Sequence, residues 1–262
     1  MESRLDAGMD RLFGLFDDFG VKGTFFTLGI VARHHPHIVR RLAQEGHEVA
    51  SHGWDHRRVT QLDPPEFRRQ VRDSRALLED LTGGPVQGFR APSFSIVPGR
   101  EWALDILVEE GYRYDSSLYP VRRPGYGYPS GSRYLSVLTS PSGSLIEVPP
   151  ATLRVLGVNL PAGGGGGLRQ LPLAVTRRAL AAFETQGQPA TLYVHPWELD
   201  PDQPRVQGLG RLTELRHYRG LDRTEGHLRQ LMSRFAFRPI REGVDAWENG
   251  GDKNGGGVRN LD

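Results

Sequence analysis

Two histidines four residues apart are the first candidates for chemistry in this chain of 262 residues. His52 and His56 lie within the segment Ser51-His52-Gly53-Trp54-Asp55-His56. The preceding residues 46–50 are typical of a helix end followed by a short buried strand, so we expect His52 at the strand's carboxyl end, where α/β proteins build their sites. A further helical turn would bring His56 onto the same face, which suits two nitrogen ligands on one zinc-like ion. The spacing alone leaves two surface histidines in a polar loop as an equal alternative.

Three more polar residues follow predicted strands. Arg90 lies where its strand gives way to a proline-stiffened loop, and its guanidinium could bind a carboxylate or form a structural salt bridge. Asp115 offers a carboxylate at another strand end, although Asp is also common in caps and turns. His195 ends an apolar strand and is either a general acid or a structural histidine. The run Gly163 to Gly167 lacks the Lys-Ser/Thr of a phosphate loop and is interpreted as a flexible loop.

The composition indicates one enzyme-sized domain and argues against several other classes. The net charge is only +2, and 33 basic residues are dispersed among 31 acidic ones, so no nucleic-acid partner is expected. The chain has no cysteine, which excludes disulfides and thiolate metal sites. No apolar run approaches the ~20 residues of a membrane span, and the first residues do not lead into a signal peptide. We therefore expect no membrane span and a cytoplasmic location, while the sequence leaves the oligomeric state open.

Helical and strand patterns alternate along the chain. We predict helices over 5–16, 36–45, 64–82, 100–110, 171–185 and 223–235, and strands over 21–28, 46–50, 85–90, 112–115, 145–148 and 190–194, with a loop-rich region over 120–143. Such alternation favours an α/β fold with a parallel sheet and helical crossovers, either a barrel or close to one. From Glu242 onward the chain is rich in Gly and Asn, so we predict one domain over 1–241 and a disordered tail over 242–262.

Taken in order, these segments resemble the polysaccharide deacetylases of carbohydrate esterase family 4, the NodB homology domain. The matching motifs are T-F-F at 24–26, S-H-G-x-x-H at 51–56, R-A-P-S-F at 90–94, Y-D-S-S at 114–117 and the histidine at 195. The likeness covers about residues 4–240. Within the family, the chain looks most similar to the branch associated with exosortase and exopolysaccharide gene clusters, on the strength of residues 159–161, 195–204, 217–218 and 221–224.

The resemblance implies a distorted (β/α) barrel of the polysaccharide deacetylase type, lacking its first strand. In the family, that strand carries a catalytic-base Asp and a metal-ligand Asp. Asp17 and Asp18 do not replace them, because they continue the first helical stripe and directly precede the next strand. We expect a start placed too late, rather than a remnant that has lost its base. The strand at 21–28 should then lie at an open edge of the sheet.

The resemblance also implies an activity, the removal of N-acetyl groups from an N-acetylated glycan, with a role in exopolysaccharide biosynthesis. A divalent metal, with Zn²⁺ favoured, would be held by His52, His56 and the absent Asp. Arg90 would tether the missing base, His195 would protonate the departing amine, and Asp115 would keep the imidazole charged.

Two other functions remain open at this point. One is an amidohydrolase of the same fold acting on a small amide, and the other is a non-catalytic glycan-binding protein. The aromatic residues Phe94, Tyr119 and Trp197 are either stacking surfaces for a sugar or parts of the core.

Overall fold

The computed structural model describes residues 4–206, 208, 210–250 and 258–260, and the chain packs as two compact units. The sheet unit comprises the described residues of 22–150, 187–189 and 238–262, and the helical unit those of 1–21, 151–186 and 190–237. The elements are, in chain order, α1 (Leu5–Asp18), β1 (Thr24–Thr27), α2 (Gly29–His34), α3 (Pro36–Gln44), β2 (Glu48–Ser51), α4 (Pro64–Thr82), β3 (Gly88–Phe89), α5 (Trp102–Glu109), β4 (Tyr114–Asp115), β5 (Ser136–Ser140), β6 (Gly143–Glu147), β7 (Thr152–Val155), β8 (Val158–Pro161), α6 (Gly166–Gln170), α7 (Leu173–Thr185), α8 (Arg211–Tyr218), α9 (Leu221–Met232), α10 (Ile240–Glu248) and β9 (Val258–Asn260).

The sheet has the strand order β1-β2-β3-β4-β6-β5-β9. The pairs from β1 to β4 and the pair β4–β6 are parallel, and α3, α4 and α5 lie in the connections between successive strands. This confirms the predicted α/β fold with helical crossovers. Among the described residues, β1 forms one edge of the sheet, as predicted. All six predicted helices are present, with ends shifted by a few residues.

Helix α4 shows how local sequence signals set the limits of an element. The Asp63 side chain accepts a hydrogen bond from the Glu66 N–H at 2.9 Å, and Pro64 occupies the first turn. Gly83 ends the helix in the left-handed conformation, with φ 68°. The helix buries Phe67, Val71 and Leu78 and also two polar side chains, Gln70 and Ser74. Those two polar residues matter below, because they hold the histidine loop.

Two of the predicted segments, a loop-rich region and a strand, differ from the structure. The loop-rich region 120–143 contains β5, which pairs antiparallel with β6 as a hairpin from Ser136↔Glu147 to Ser140↔Gly143. The strand predicted over 190–194 is reduced to one bridge between Gly164 and Tyr193. Gly163 and Gly165 exchange backbone hydrogen bonds with Tyr193 at 2.7 and 3.0 Å. The glycine run is therefore a packed segment and not a flexible loop, because any side chain at Gly164 (φ 126°) would overlap the Tyr193 backbone.

The predicted disordered tail is also wrong for its first part, which folds as α10. Val244 and Trp247 are buried in an apolar cluster with Tyr114 and Ile146. The backbone N–H of Ile240 donates to Thr24 Oγ1 at 2.7 Å, and that of Arg241 donates to Glu48 Oε2 at 2.9 Å. Composition alone did not predict this helix, because its order depends on the burial of Val244 and Trp247 and on two backbone hydrogen bonds to Thr24 and Glu48. Residues 251–257, 261 and 262 lie outside the described residues.

The helical unit is organised around the turn that follows His195. Helix α1 packs on the short 3-10 helix Pro196–Leu199 so closely that a Cβ at Gly8 would lie 2.8 Å from the Pro196 carbonyl oxygen. Arg4 donates two hydrogen bonds to Asp200, at 2.6 and 2.8 Å. Strands β7 and β8 form a separate antiparallel hairpin. Every helix that the structure describes is too short or too polar to span a lipid bilayer.

Substitution of Gly88 by alanine should strongly destabilise the sheet unit. A Cβ at Gly88 would overlap the buried ring of Tyr114 on the neighbouring strand, whereas nothing lies within 4 Å of a Cβ at Gly84. We expect Gly88→Ala to lower the free energy of unfolding by about 3 kcal/mol, the upper end for overpacking, and Gly84→Ala to change it by less than about 1 kcal/mol. Urea unfolding followed by circular dichroism measures both. Equal stability of the two variants would contradict this packing.

Candidate functional site

His52 and His56 lie in the loop after β2, and their rings meet edge to face with centroids 5.4 Å apart. The His52 N–H continues the strand ladder to the Thr27 carbonyl at 3.0 Å. The predicted helical turn between the histidines is wrong, because residues 52–58 form no helix and His56 has φ 65°. A non-glycine residue in the left-handed region stores strain, and such residues concentrate at functional sites.

Two polar side chains of α4 hold this loop. Ser74 Oγ lies 2.7 Å from Ser51 Oγ, which also accepts a hydrogen bond from the Gly53 N–H. Gln70 Oε1 accepts from the Trp54 N–H at 3.4 Å, and Gln70 Nε2 donates to Asp55 Oδ1 at 3.0 Å. Both helix residues are buried. The loop geometry therefore depends on buried hydrogen bonds and not on exposed contacts.

The geometry of the pair fits a metal ion. The Arg90 carbonyl oxygen can only accept, so His52 Nδ1 at 2.6 Å must carry the proton, and Nε2 is then the unprotonated nitrogen that a metal needs. Two imidazoles bound to one tetrahedral ion would have centroids about 5 Å apart, close to the spacing seen here. The Asp55 carboxylate accepts hydrogen bonds from Arg57 and Gln70. In the described part of the sheet unit, no other His, Asp or Glu completes a cluster with the two histidines.

Arg90 is buried directly after β3, beside the histidine loop. Its side chain donates to the Ser116 carbonyl at 3.2 Å and to Ser116 Oγ at 2.7 Å. The guanidinium also lies over the Phe26 ring, 4.1 Å from its centroid. This packing holds a permanent positive charge at the carboxyl ends of the strands, the same end of the sheet at which His52 lies.

Asp115, the last residue of β4, is fully buried beside Glu147 on β6. Its carboxylate accepts from the Ser117 N–H at 3.0 Å and from Ser117 Oγ at 2.6 Å. Ser117 Oγ in turn accepts from the Ala91 N–H at 2.8 Å. The Y-D-S-S segment thus holds the loop that follows Arg90.

Glu147 and Asp115 share a buried environment that favours one proton between them. Burial raises the pKa of Glu147 well above its usual range, and the neighbouring Asp115 charge raises it further. Burial also raises the pKa of Asp115. Glu147 Oε1 accepts from the Leu118 N–H at 3.0 Å. A raised pKa favours the protonated, neutral form of Glu147, so the two neighbouring carboxyls need not carry two buried charges.

In the helical unit, the carboxylate that contacts the His195 ring is Glu198. Its Oε2 lies 3.0 Å from His195 Nδ1 and also accepts from the His195 N–H at 2.8 Å. Sequence reasoning gave this role to Asp115, whose two oxygens instead accept from Ser117. The Glu198 side chain is 1% exposed, while that of His195 is 51% exposed. A half-exposed ring on a buried carboxylate has the arrangement of an oriented acid or base.

Arg169 compensates the buried charge of Glu198. Its Nε donates to Glu198 Oε1 at 2.6 Å, and its Nη1 donates to the carbonyls of Arg216, His217 and Arg219 at 3.3, 2.7 and 3.2 Å. Burial by itself raises the pKa of Glu198, but the hydrogen bond and charge of the His195 ring, with the Arg169 hydrogen bond, outweigh it and leave that pKa below its usual value. Glu198 is therefore ionised at neutral pH.

The three candidate stacking aromatics are packed against protein side chains. Trp197 lies parallel to the His217 ring at 4.5 Å, and the Arg169 guanidinium lies over it at 4.8 Å. Tyr119 is 1% exposed and contacts Phe94, with ring centroids 5.2 Å apart. Tyr119 is therefore a core residue, and Trp197 packs between His217 and Arg169. Burial and the charge of Arg169 lower the pKa of His217 in this stack.

Two family models match this chain. A model described as polysaccharide deacetylase matches residues 5–113, and a model of a domain of unknown function, DUF3473, matches residues 116–245. Over residues 5–113 the chain is thus similar to the polysaccharide deacetylases. The first model includes the histidine loop and Arg90. The second begins one residue after Asp115 and ends within α10.

Individual curated proteins match parts of this chain. A peptidoglycan-N-acetylglucosamine deacetylase of Bacillus cereus is 34% identical over 86 residues, which are 32% of this chain and 31% of that protein. The chain spans about a third of the length of the curated relatives it matches first. A solved Mycobacterium smegmatis structure, described as a polysaccharide deacetylase, is 25% identical, with a TM-score of 0.63 over 92% of this chain and 77% of that one. An allantoinase structure shares the fold alone, at 18% identity, a TM-score of 0.60 and coverage of 92% and 72%.

Sequence reasoning missed three of the charged residues described above, Glu147 in the sheet unit and Arg169 and Glu198 in the helical unit. A signal for Glu198 was present, because H-P-W-E places an acceptor three residues after the histidine that begins a turn. Arg169 and Glu147 carry no such local signal. Their roles depend on partners 29 residues away in the first case and on a neighbouring strand in the second.

Replacing Glu147 by glutamine should flatten the dependence of stability on pH. With its raised pKa, Glu147 keeps a proton in the folded protein that the unfolded chain releases. The linked stabilisation is fully present below the ordinary glutamate pKa and is lost as pH rises through the raised value. Glutamine cannot ionise, so we expect Glu147→Gln to gain stability relative to the parent as the pH rises above the ordinary glutamate pKa of about 4.3. Thermal melts at a series of pH values measure the difference.

The control for this comparison is Glu184→Gln, the same change at an exposed position of α7. Its melting curve should stay parallel to that of the parent over the whole pH range. If Glu147→Gln also runs parallel to the parent, the carboxyl pair does not hold an extra proton.

Proposed function

We propose that this chain is a metal-dependent hydrolase that removes N-acetyl groups from an N-acetylated polysaccharide. Similarity to the polysaccharide deacetylases over residues 5–113 supports the reaction class, and one observation carries the assignment to this site. His52 and His56 approach each other closely, with the tautomer of His52 set by the Arg90 carbonyl for metal binding. A Bacillus cereus relative is described as a peptidoglycan-N-acetylglucosamine deacetylase, and we propose an N-acetylated polymer as the substrate class here. A role in exopolysaccharide biosynthesis belongs to the same proposal.

The roles of the residues follow from their surroundings. His52 and His56 would hold a divalent ion, with zinc favoured for an all-nitrogen pair. When bound there, such an ion supplies polarisation of the acetamide carbonyl and acidification of a water. Arg90 contributes a buried positive charge at the same sheet edge, where it stabilises negative charge on an attacking base or on the reacting carbonyl. Asp115 holds the loop after Arg90 through Ser117.

We assign the general acid to His195. Its ring is half-exposed, so a substrate can reach it, and its Nδ1 is occupied by Glu198. The doubly protonated ring can therefore give its Nε2 proton to the departing sugar amine, and it is left neutral with the remaining proton on Nδ1. Amide hydrolysis needs this step, because an unprotonated amine anion is a very poor leaving group.

Substitution of the histidines should separate metal binding from proton transfer. We expect His52→Ala and His56→Ala to lose bound zinc and acetate release together, because each removes one ligand. His195→Ala should keep the zinc and lower turnover by about 10²–10⁴-fold, the usual contribution of a general acid. Metal analysis of the purified variants and acetate release from N-acetylglucosamine oligomers measure the two properties.

His34→Ala is the matched control, because His34 is an exposed histidine of α2. It should retain both zinc and turnover. Zinc retained by a variant lacking both His52 and His56 would contradict the metal site. Hydrolysis of small amides without acetate release would favour the amidohydrolase alternative, and glycan binding without turnover would favour a binding protein.

A further inference from the structure

We propose that Glu198, held by Arg169, is the positioning residue of His195 and selects the ring tautomer with the proton on Nδ1. This inference rests on the proposed function, because it assigns a task to a residue next to the proposed acid. It concerns a carboxylate that the sequence resemblance left without a role.

The geometry leaves Glu198 little freedom to do anything else. One carboxylate oxygen, Oε2, accepts both from the backbone N–H of His195 and from its ring. Pro196 stiffens the turn between them, and the residues are only three apart. The backbone bond fixes where the oxygen lies, and the ring nitrogen must then turn toward it. The turn therefore helps to orient the ring, which also meets Tyr193 edge to face and stacks on Trp197, with centroids 5.9 and 5.8 Å apart.

An ionised Glu198 allows only one of the two His195 tautomers to form the hydrogen bond between them. A carboxylate can only accept, so the facing Nδ1 must carry a proton. A protonated carboxyl could donate instead and would permit the opposite tautomer. The lowered pKa of Glu198 agrees with the ionised form, although burial works against it.

Arg169 is what makes an ionised Glu198 tolerable in a buried position. It donates to the second carboxylate oxygen, Oε1, and leaves Oε2 for His195. Its Nη1 donates to three carbonyls near the carboxyl end of α8, where helix carbonyls lack partners within the helix. The arginine is thus anchored by the carbonyls near the end of α8 and lies over the Trp197 ring, and its hydrogen-bond connection to His195 runs through Glu198. Lysine could not make these bonds together, because it lacks the planar fork of donors.

The same segment contains a natural control. Asp200 is also buried and also paired with an arginine, since it accepts two hydrogen bonds from Arg4. Nothing in this pair touches the ring of His195 directly. Glu198→Gln and Asp200→Asn therefore make the same chemical change, a buried carboxylate to an amide, with and without contact to the histidine.

The direct test is ¹⁵N NMR of the histidine rings of the full chain in alkaline solution, where histidines are neutral. The His195 signal is identified by its loss in His195→Gln. We expect the parent and Asp200→Asn to show His195 with a protonated Nδ1 and a bare Nε2. In Glu198→Gln, this preference should fall to a mixture of the two tautomers. An unchanged tautomer in Glu198→Gln would overturn the proposal.

Activity provides the second readout. Loss of a residue that orients a functional histidine typically costs about 10–100-fold, so we expect kcat of Glu198→Gln to fall by this amount with KM and bound zinc unchanged. Glu198→Asp keeps the charge and should recover part of both the tautomer preference and kcat, and it also serves if Glu198→Gln does not fold. A loss of kcat in Asp200→Asn equal to that in Glu198→Gln would overturn the proposal, because it would indicate a general effect on the turn.

The two proposals can fail separately. If the tautomer shifts in Glu198→Gln but the parent releases no acetate, the positioning role stands and the proposed function is wrong. If the parent releases acetate and the tautomer does not shift, the function stands and the positioning role is wrong.

Discussion

The candidate site depends on hydrogen bonds that continue the parallel ladder past the ends of β2, β3 and β4. The His52 N–H donates to Thr27, the Arg90 N–H to Ser51 and the Ser116 N–H to Phe89, each at 2.9–3.0 Å. Because these strands are parallel, the residues that follow them emerge at one edge of the sheet. The side chains then lock the arrangement, with His52 on the Arg90 carbonyl and Arg90 on Ser116. A register shift in any of these strands would separate the groups.

Buried carboxylates recur in both units, and each is compensated in a different way. Glu48 accepts from Thr24, Tyr114 and the Arg241 N–H, so three hydrogen bonds satisfy it and connect β1, β4 and α10. Burial and the neighbouring Asp115 charge raise the pKa of Glu147, which favours its neutral form, and Glu198 is paired with an arginine. A buried carboxylate without such compensation would cost several kcal/mol. The sheet unit thus uses carboxylates to fasten elements, and the helical unit uses one to orient a ring.

The match to a domain of unknown function covers residues 116–245 and so includes His195, Glu198 and Arg169. The deacetylase match over 5–113 includes His52, His56 and Arg90. On the proposed function, the part without an assigned activity supplies the acid and the residues that hold it. Its glycine run has a corresponding task, because the close packing of Gly164 on Tyr193 brings the chain into α6, which carries Arg169.

The sequence by itself determined the elements whose signals are local. The apolar spacing of α1, the Asp63 cap and Gly83 stop of α4, and the apolar strand before His52 each depend on neighbours within a few residues, so they are visible in the chain. It also determined that His52, Arg90 and Asp115 end parallel strands. Only the tertiary structure decided what those residues touch. The pairing of Asp115 with Glu147, the burial of α10 by Val244 and Trp247, and the compensation of Glu198 by Arg169 join residues from 29 to more than 130 positions apart or on different strands. Such contacts depend on how the elements pack, because desolvation and hydrogen bonding depend on which groups are close in space. The periodicity of residues along the chain does not encode this proximity.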